Sequence, residues 1–395
     1  MTGLSCRARA RAAVVAALAV TALAVTGLAA CGPASHRRST AVTSSALVAG
    51  VTLGFLGPLS GPDAALGRDV ENGAKLAVSQ YMTTAPKVKV TLVAIDSGGR
   101  PPRAGAAAGA KRLVAARVVG VIGPVLSAGS LAAAPVFERA GIPSISPSAT
   151  AAGLAGHGWT HSHWLVAGDG AQGRDDADYL VQSLGDSAVA VIEDGSAHGS
   201  AVAAAVRSEV RADGGTVVLS SQVGPGEKAG ALAVEGILAA KEDAVFFGGS
   251  LVAGIPVAVG LRQAGYSGAV LYGGASAAPA LLIGRDVPSG VTVSCACEDT
   301  LDESRAEPFV AAYQAQFGSP PQPYSAESYD ATNFFLAAIQ AAATTPRAVD
   351  AYLGSHTYQG ITKVVKFASD GDLAAAAVYL YHVQNGKVVQ VGTAG

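Results

Sequence analysis

The stretch Val121-Ile122-Gly123-Pro124-Val125-Leu126-Ser127-Ala128-Gly129-Ser130-Leu131-Ala132-Ala133-Ala134-Pro135-Val136-Phe137-Glu138-Arg139-Ala140-Gly141-Ile142-Pro143-Ser144-Ile145-Ser146-Pro147-Ser148-Ala149-Thr150 decides the fold. Residues 118–122 are an apolar, mostly β-branched run that Gly123-Pro124 closes, which reads as a buried strand. Ser127 stands where a helix should begin, with Leu131, Ala134, Phe137 and Glu138 behind it at helical spacing. Gly141 ends that helix, because glycine accepts the left-handed conformation of a helix terminus. Residues 142–145 are the next strand, and Ser146-Pro147-Ser148-Ala149-Thr150 is the loop leaving it. Two parallel strands therefore end in hydroxyl-rich turns on one edge of a sheet. In an open α/β sheet that edge is where ligands bind. Free N–H groups and hydroxyls at helix starts hold anions such as carboxylates.

Strand and helix alternate outward from this stretch. Toward the N-terminus they read as a strand at 51–56, a turn-rich loop at 57–62, a helix at 67–81, a strand at 88–95 and a helix at 101–117. Residues 157–164, His-Gly-Trp-Thr-His-Ser-His-Trp, break the rhythm. A second round follows: strands at 164–167, 188–192, 216–220, 244–247 and 269–272, with helices at 175–184, 199–213, 227–240 and 254–264 between them. The chain thus reads as two doubly wound α/β lobes. The tail (a strand at 291–294, helices at 303–317 and 327–342, strands at 364–367 and 376–383) is expected to return to these lobes. Asn385-Gly386 is a hairpin signal.

Composition bounds the function. The chain has 395 residues and a net charge of −2, so it offers no electrostatic case for a nucleic-acid partner. Charged residues make up 14%, well under the roughly 25% of ordinary soluble domains, and alanine and glycine fill the difference. Arg7, Arg9 and Arg11 precede an uncharged apolar run at 12–30 that ends Leu28-Ala29-Ala30-Cys31. This is similar to the lipobox of bacterial lipoproteins. It predicts a signal peptide over 1–30, a lipid on Cys31 and a Ser/Thr/Pro-rich tether over 31–48. The alternative is an uncleaved membrane anchor, since the run is long enough to span. Either way the body lies outside the cytoplasm. With Cys6 in the signal and Cys31 lipidated, Cys295 and Cys297 remain. On a regular strand their Cα atoms would lie about 6.5 Å apart, near the limit for a disulfide. A pair with a bent backbone and two buried thiols both stand open.

Two clusters suggest chemistry. Gly168-Asp169-Gly170-Ala171-Gln172-Gly173 matches G-x-G-x-x-G, and Glu193 and Asp194 lie about twenty residues on. A nucleotide-binding enzyme is the reading it supports. A chain with 49 glycines meets that pattern by chance, and an exported protein has little access to such cofactors. His157, His161 and His163 suggest a metal, but no cysteine or acid accompanies them at ligand spacing, so a loop is the simpler reading and no metal or cofactor is expected. No nucleophile elbow, H-E-x-x-H, P-loop or C-x-x-C is present, which favours binding over catalysis.

Further residues carry a family resemblance. Leu59-Ser60-Gly61-Pro62, Leu66-Gly67-Arg68-Asp69 and Asn72-Gly73-Ala74 look like a family opening, and Val121-Ile122-Gly123-Pro124, Gly141-Ile142-Pro143 and Ile145-Ser146-Pro147-Ser148-Ala149-Thr150 like its core. Ala171-Gln172-Gly173, Phe246-Phe247-Gly248-Gly249, Leu261-Arg262-Gln263 and Tyr329-Asp330-Ala331 extend the match. The chain resembles the leucine/isoleucine/valine-binding-like group of type I periplasmic binding proteins, the solute receptors of branched-chain amino acid ABC transporters. The resemblance implies a two-lobe clamp joined by three crossovers, near Gly168, Cys297 and Tyr381. Lobe 1 would be 49–168 plus 298–380, and lobe 2 169–297 plus 381–395. The resemblance places Ser127, Ser148 and Thr150 on a ligand carboxylate, Asp169 facing the cleft, Leu66 on an apolar wall, and His198 and Ser250 where aromatics are common. Ala275 stands where amino-acid-binding members commonly have an acid for the α-ammonium. The implied function is an extracytoplasmic, lipid-anchored, monomeric solute-binding protein that is not an enzyme. It would take a small amino acid, or a related carboxylate or amide, to an ABC permease. A sensor using the same clamp is the alternative. A disulfide at Cys295 and Cys297 would sit at a hinge.

Overall fold

Two sheets of the same winding organise the chain. The computed structural model describes residues 49–98, 102–224, 226–274, 286–301 and 303–394. The first sheet contains β1 (Ala49–Gly57), β2 (Val88–Asp96), β3 (Gly120–Ile122), β4 (Ser144–Ser146) and β5 (Ser162–Trp164), all parallel, in the order β2-β1-β3-β4-β5. The second contains β6 (Ala188–Glu193), β7 (Thr216–Gln222), β8 (Ala244–Gly248), β9 (Ala269–Gly273) and β10 (Val291–Cys295), parallel in the order β7-β6-β8-β9-β10. Each order reverses after its first strand, which opens a crevice at the strand exits.

Helices cover both sheets. In the first lobe they are α1 (Ala64–Thr83), α2 (Pro102–Ala115) and α3 (Ser127–Ala140); in the second, α4 (Asp169–Asp178), α5 (Ala197–Ala212), α6 (Glu227–Ala240) and α7 (Leu251–Gln263). Gly141 caps α3 with φ 61°, as its place in the sequence predicts. The tail returns to the first lobe as α8 (Glu307–Phe317), α9 (Ser325–Gln340), α10 (Pro346–Ser355) and the short pair β11 (Tyr358–Gln359) and β12 (Val364–Val365). Phe334, Phe335 and Ile339 of α9 are buried, and a Cβ at Gly120 would come within 2.4 Å of the Phe335 ring. That glycine lets α9 lie directly on β3.

Four expectations need correction. The helix expected at 175–184 begins at Asp169, with Gly168 as its N-cap, and ends in a π-helical turn, Tyr179–Ser183. Glycines at 168, 170 and 173 suggest a loop. However, a Cβ at Gly173 would lie 2.5 Å from the Val202 carbonyl oxygen and from Ala205 Cβ, so the glycine lets α4 pack closely on α5. The boundary expected between 380 and 381 falls inside β13 (Val378–Gln384), which pairs antiparallel with β10 and with β14 (Lys387–Ala394), so residues 378–380 belong to the second sheet. Helix α10 was not expected, although Thr345 accepts a hydrogen bond from the Ala348 N–H and Pro346 occupies the first turn, both ordinary helix-start signals. The strand expected at 164–167 lies at Ser162–Trp164, beginning two residues earlier.

Asn385 and Gly386 turn β13 into β14 with φ of 50° and 73°, the left-handed pair such a hairpin requires. Cys295 and Cys297 are joined by a disulfide with Cα atoms 5.0 Å apart. The bend is available because β10 ends at Cys295.

Candidate functional site

The turns after β3 and β4 are stitched together by their own hydroxyls. Ser127 Oγ accepts hydrogen bonds from the Thr150 and Ala151 N–H groups, each at 3.2 Å. Ser146 Oγ donates to the Pro124 carbonyl at 2.7 Å and accepts from the Ala149 N–H at 3.1 Å. Ser148 Oγ donates to the Val125 carbonyl at 2.7 Å. Two N–H donors fill the acceptor side of Ser127, so its hydroxyl proton is what it can give to a ligand. Ser127 also opens α3, where the helix dipole favours negative charge.

These turns border a cavity of about 450 Å³ at the β1/β3 switch point. Leu66, Ser127, Ser148, Thr150 and His198, all expected at the site, line it together. His198 comes from the first turn of α5, so the cavity takes walls from both lobes. Val125, Leu126 and Pro323 add apolar surface, which suits a small ligand with one polar end.

The other expected residues are placed differently. Asp169 is buried at the start of α4, where its Oδ1 lies 2.8 Å from His198 Nδ1; it stands behind the histidine rather than on the cavity wall. The Asp169 N–H donates to the Thr150 carbonyl at 2.6 Å, which ties the first crossover to the turn after β4. Ser250 is the N-cap of α7, its N–H donating to Asp194 Oδ2 at 2.7 Å, and it is not among the residues lining the cavity. The reason is that Asp194, which also holds Ser196, anchors the second lobe's two turns to each other. Ala275 and Cys31 lie outside the described residues.

Sequence reasoning missed Asp69 and the segment 322–324. Asp69 follows Leu66 by three residues on α1, so helical spacing alone puts both on one face. Burial pushes the Asp69 carboxyl above its ordinary range, against the Tyr313 hydroxyl and the Arg68 charge. An acid held in that state gains from a cationic partner. Gln322, Pro323 and Tyr324 arrive by a Pro-rich connection between α8 and α9 that carries no sequence signal for a wall. The G-x-G-x-x-G glycines lie in or at α4 and frame no phosphate cradle, and Gly173 is spent on α5. Among the described residues, Asp178, Glu209 and Asp213 also bring carboxylate oxygens within 4.8 Å of one another.

A profile described as "Periplasmic binding protein" matches residues 50–387. The chain belongs to the periplasmic binding protein family. It is 29% identical over 350 residues to the Leu/Ile/Val-binding protein BraC3 of Rhizobium johnstonii, covering 86% of this chain and 94% of that one. The fold matches an ABC transporter substrate-binding protein of Desulfitobacterium hafniense in complex with Leu, with a TM-score of 0.74 at 23% identity over 87% of this chain and all of that one. It also matches a solute-binding protein of an ABC transporter of R. palustris in complex with benzoate, with a TM-score of 0.70 at 20% identity over 88% of this chain and 96% of that one. This periplasmic binding protein therefore has the type I fold expected from its sequence: two α/β lobes joined by three crossovers. Members of the family are extracytoplasmic solute-binding proteins and not enzymes. Among the described residues no helix is long and apolar enough to cross a membrane.

Proposed function

We propose that this protein is the substrate-binding component of an ABC importer, taking a small amino acid of the branched-chain type, or a related carboxylate or amide, between its lobes. The observation that carries this is the stitched pair of turns at the start of α3, where Ser127 is left with one hydroxyl proton facing a largely apolar cavity. A carboxylate is the ligand group that such a turn receives. The Leu/Ile/Val-binding relative supports the branched-chain class. Thr150 completes the anion end, Ser148, its proton given to the Val125 carbonyl, braces that turn, Leu66 and Leu126 receive the aliphatic end, and His198, backed by Asp169, closes the cavity from the second lobe. Hinge motion at crossovers near 165–168, 296–298 and 374–378 then presents a closed form to the permease. The signal peptide over 1–30 and the lipid on Cys31 keep the protein, as a monomer, at the outer face of the membrane.

A second reading is a carboxylate that lacks an α-amine. Ala275 supplies no acid where such proteins commonly place one, and the same fold holds benzoate in the R. palustris protein. A thermal-shift screen separates the two. Leu, Ile and Val should each raise the melting temperature, since ligand at a hundred times its Kd adds about 2.7 kcal/mol. A shift only with deaminated or aromatic carboxylates would move the function to the second reading, and no shift with any of them would remove both. Asp69→Asn refines the result. If Asp69 receives the ammonium, the variant loses roughly 10–100-fold in affinity for amino acids and nothing for their deaminated analogues.

A further inference from the structure

The histidines of 157–164 belong to the scaffold: His161 Nδ1 meets Asp350 Oδ2 at 2.9 Å, and His157 stacks on Trp159. The second crossover is different, because it buries an acid directly behind the solute cavity. Glu298 follows the disulfide, and its side chain is 1% exposed. The Tyr381 hydroxyl of β13 stitches the backbone on both sides of it, donating to the Cys297 carbonyl at 3.0 Å and accepting from the Asp299 N–H at 2.8 Å. The Glu298 N–H itself donates to Glu327 Oε1 of α9 at 3.2 Å. One carboxyl oxygen, Oε1, pairs with Arg305, which also donates to the Thr362 carbonyl at 2.6 Å. The other, Oε2, is buried and has no hydrogen-bond partner among the described residues.

Every element packed against this acid brings a charged or titratable group. Arg305 stands half-exposed in the turn before α8, and Lys363 stands buried before β12, 4.0 Å from Glu327. Tyr379 and Tyr381 of β13 both feel the Glu298 charge. Helix α9 adds Glu327 and Asp330, but the Asp330 carboxylate is already held by the Ile361 and Thr362 N–H groups at 2.9 and 2.8 Å. Burial outweighs the cations here. It pushes the Glu298 carboxyl up to about 7, with Arg305 and Lys363 opposing and Glu327 adding. Glu298 therefore exchanges a proton near neutrality.

A shared wall connects this acid to the solute. Gln322, Pro323 and Tyr324 line the solute cavity on one side. On the other they line a void of about 20 Å³, together with Glu298, Glu327 and Thr300. A void of that size has room for one water molecule. Tyr324 holds φ 68°, a left-handed conformation that a residue with a side chain keeps only under constraint from its surroundings. The wall is thus fixed, and draining one side of it changes the surroundings of the acid on the other.

Given the solute-binding function proposed above, we propose that Glu298 is a positioning residue for solute binding, carrying at the hinge a proton that the protein takes up as the solute is enclosed. Enclosure expels water from the cavity and from behind its wall, and desolvation favours the neutral carboxyl. The complex then binds more protons than the free protein, so affinity is highest below about pH 7 and falls above it. Two groups on the cavity itself act with the opposite sign: Asp69 loses a proton to an ammonium, and His198 loses one on burial.

The test is titration calorimetry of the mature protein and its Glu298→Gln variant with leucine, isoleucine, valine and benzoate in turn. Phosphate and Tris buffers, which differ in ionisation enthalpy, report the protons taken up. The parent should take up more protons than the variant, by up to one per solute. Relative to the variant, its affinity should fall roughly 3–8-fold between about pH 6 and pH 9, the range for a carboxyl midpoint that binding raises by half to one pH unit. A residue that only braced the fold would change affinity equally at every pH. Should Glu298→Gln fail to fold, Arg305→Met, at a half-exposed position, removes a counter-charge and should move the uptake to higher pH; an unmoved profile overturns the proposal. Equal proton uptake in parent and Glu298→Gln overturns the proposal alone, whereas binding of none of the solutes overturns it together with the function on which it rests.

Discussion

Asp176 shows how a single buried acid sets a pH response. It is fully buried under α4, accepts a hydrogen bond from Ser294 Oγ at 2.9 Å through Oδ2, and finds no partner for Oδ1. Burial pushes its pKa up to about 8, the Ser294 hydrogen bond opposing and the Asp175 charge adding. The folded chain therefore holds a proton that the unfolded chain, with a pKa near 3.8, gives up. Native protein binds more protons across this window, so stability falls as pH rises from about 4 through about 8. Asp176→Asn keeps the shape without the charge. It should flatten that fall and melt higher than the parent at pH 8; thermal denaturation from pH 4 to 9 checks both. An unchanged pH profile would mean that Asp176 is charged in the native state.

The same scale shows what could be read ahead of the structure. Ser127, Ser148 and Thr150 were legible because each follows a strand or opens a helix, whereas Leu66 and His198 came only from the family resemblance; all five line one cavity. Asp169 was placed one layer too far forward, since only the fold shows His198 standing in front of it. Residues 322–324 and Asp350 were invisible because long connections deliver them to partners far away in the chain. Asp69 was readable and was missed. Its i+3 relation to Leu66 was there to be used.

At the scale of elements, the strands and most helices were legible from apolar runs punctuated by glycine and proline. The exceptions are α10, which was not expected, and α4, where glycine serves contact rather than turning. Its two internal glycines differ, and that difference is testable. A Cβ at Gly173 would meet the Val202 backbone oxygen at 2.5 Å, whereas one at Gly170 would meet only the Arg174 guanidinium at 3.7 Å. Gly170→Ala should stabilise by about 0.5–1 kcal/mol, the ordinary gain of alanine over glycine in a helix. Gly173→Ala should lose about 1–3 kcal/mol to overpacking, which exceeds that gain. Urea unfolding of the two variants decides; equal effects would mean that α4 and α5 are not in close contact.

For the whole molecule, the connections between lobes meet at one buried cation. Lys363 Nζ lies 3.5 Å from the Leu165 carbonyl at the first crossover, 4.0 Å from Glu327 Oε1, and 5.7 Å from the Tyr379 ring centroid beside the third. Glu327 Oε1 in turn accepts from the Glu298 N–H at the second crossover, just past the disulfide. Burial pushes the Glu327 carboxyl up, and Lys363 is the largest influence holding it down. Lys363→Met removes that counter-charge, so the folded pKa of Glu327 rises further and the variant should lose more stability at pH 8 than at pH 5. Melting curves at the two pH values test this, and an equal loss at both would show that Lys363 acts through packing alone.

The central claim is that a carboxylate-bearing solute is held by the turn that opens α3. Titration calorimetry of the mature protein and its Ser127→Ala variant, with the branched-chain amino acid that gives the largest thermal shift, tests it most directly. A hydrogen bond to a charged group contributes about 1.5–3 kcal/mol, so the variant should bind roughly 10–150-fold more weakly while melting close to the parent without ligand. Equal affinity in the two proteins would contradict the account and place the carboxylate elsewhere in the molecule.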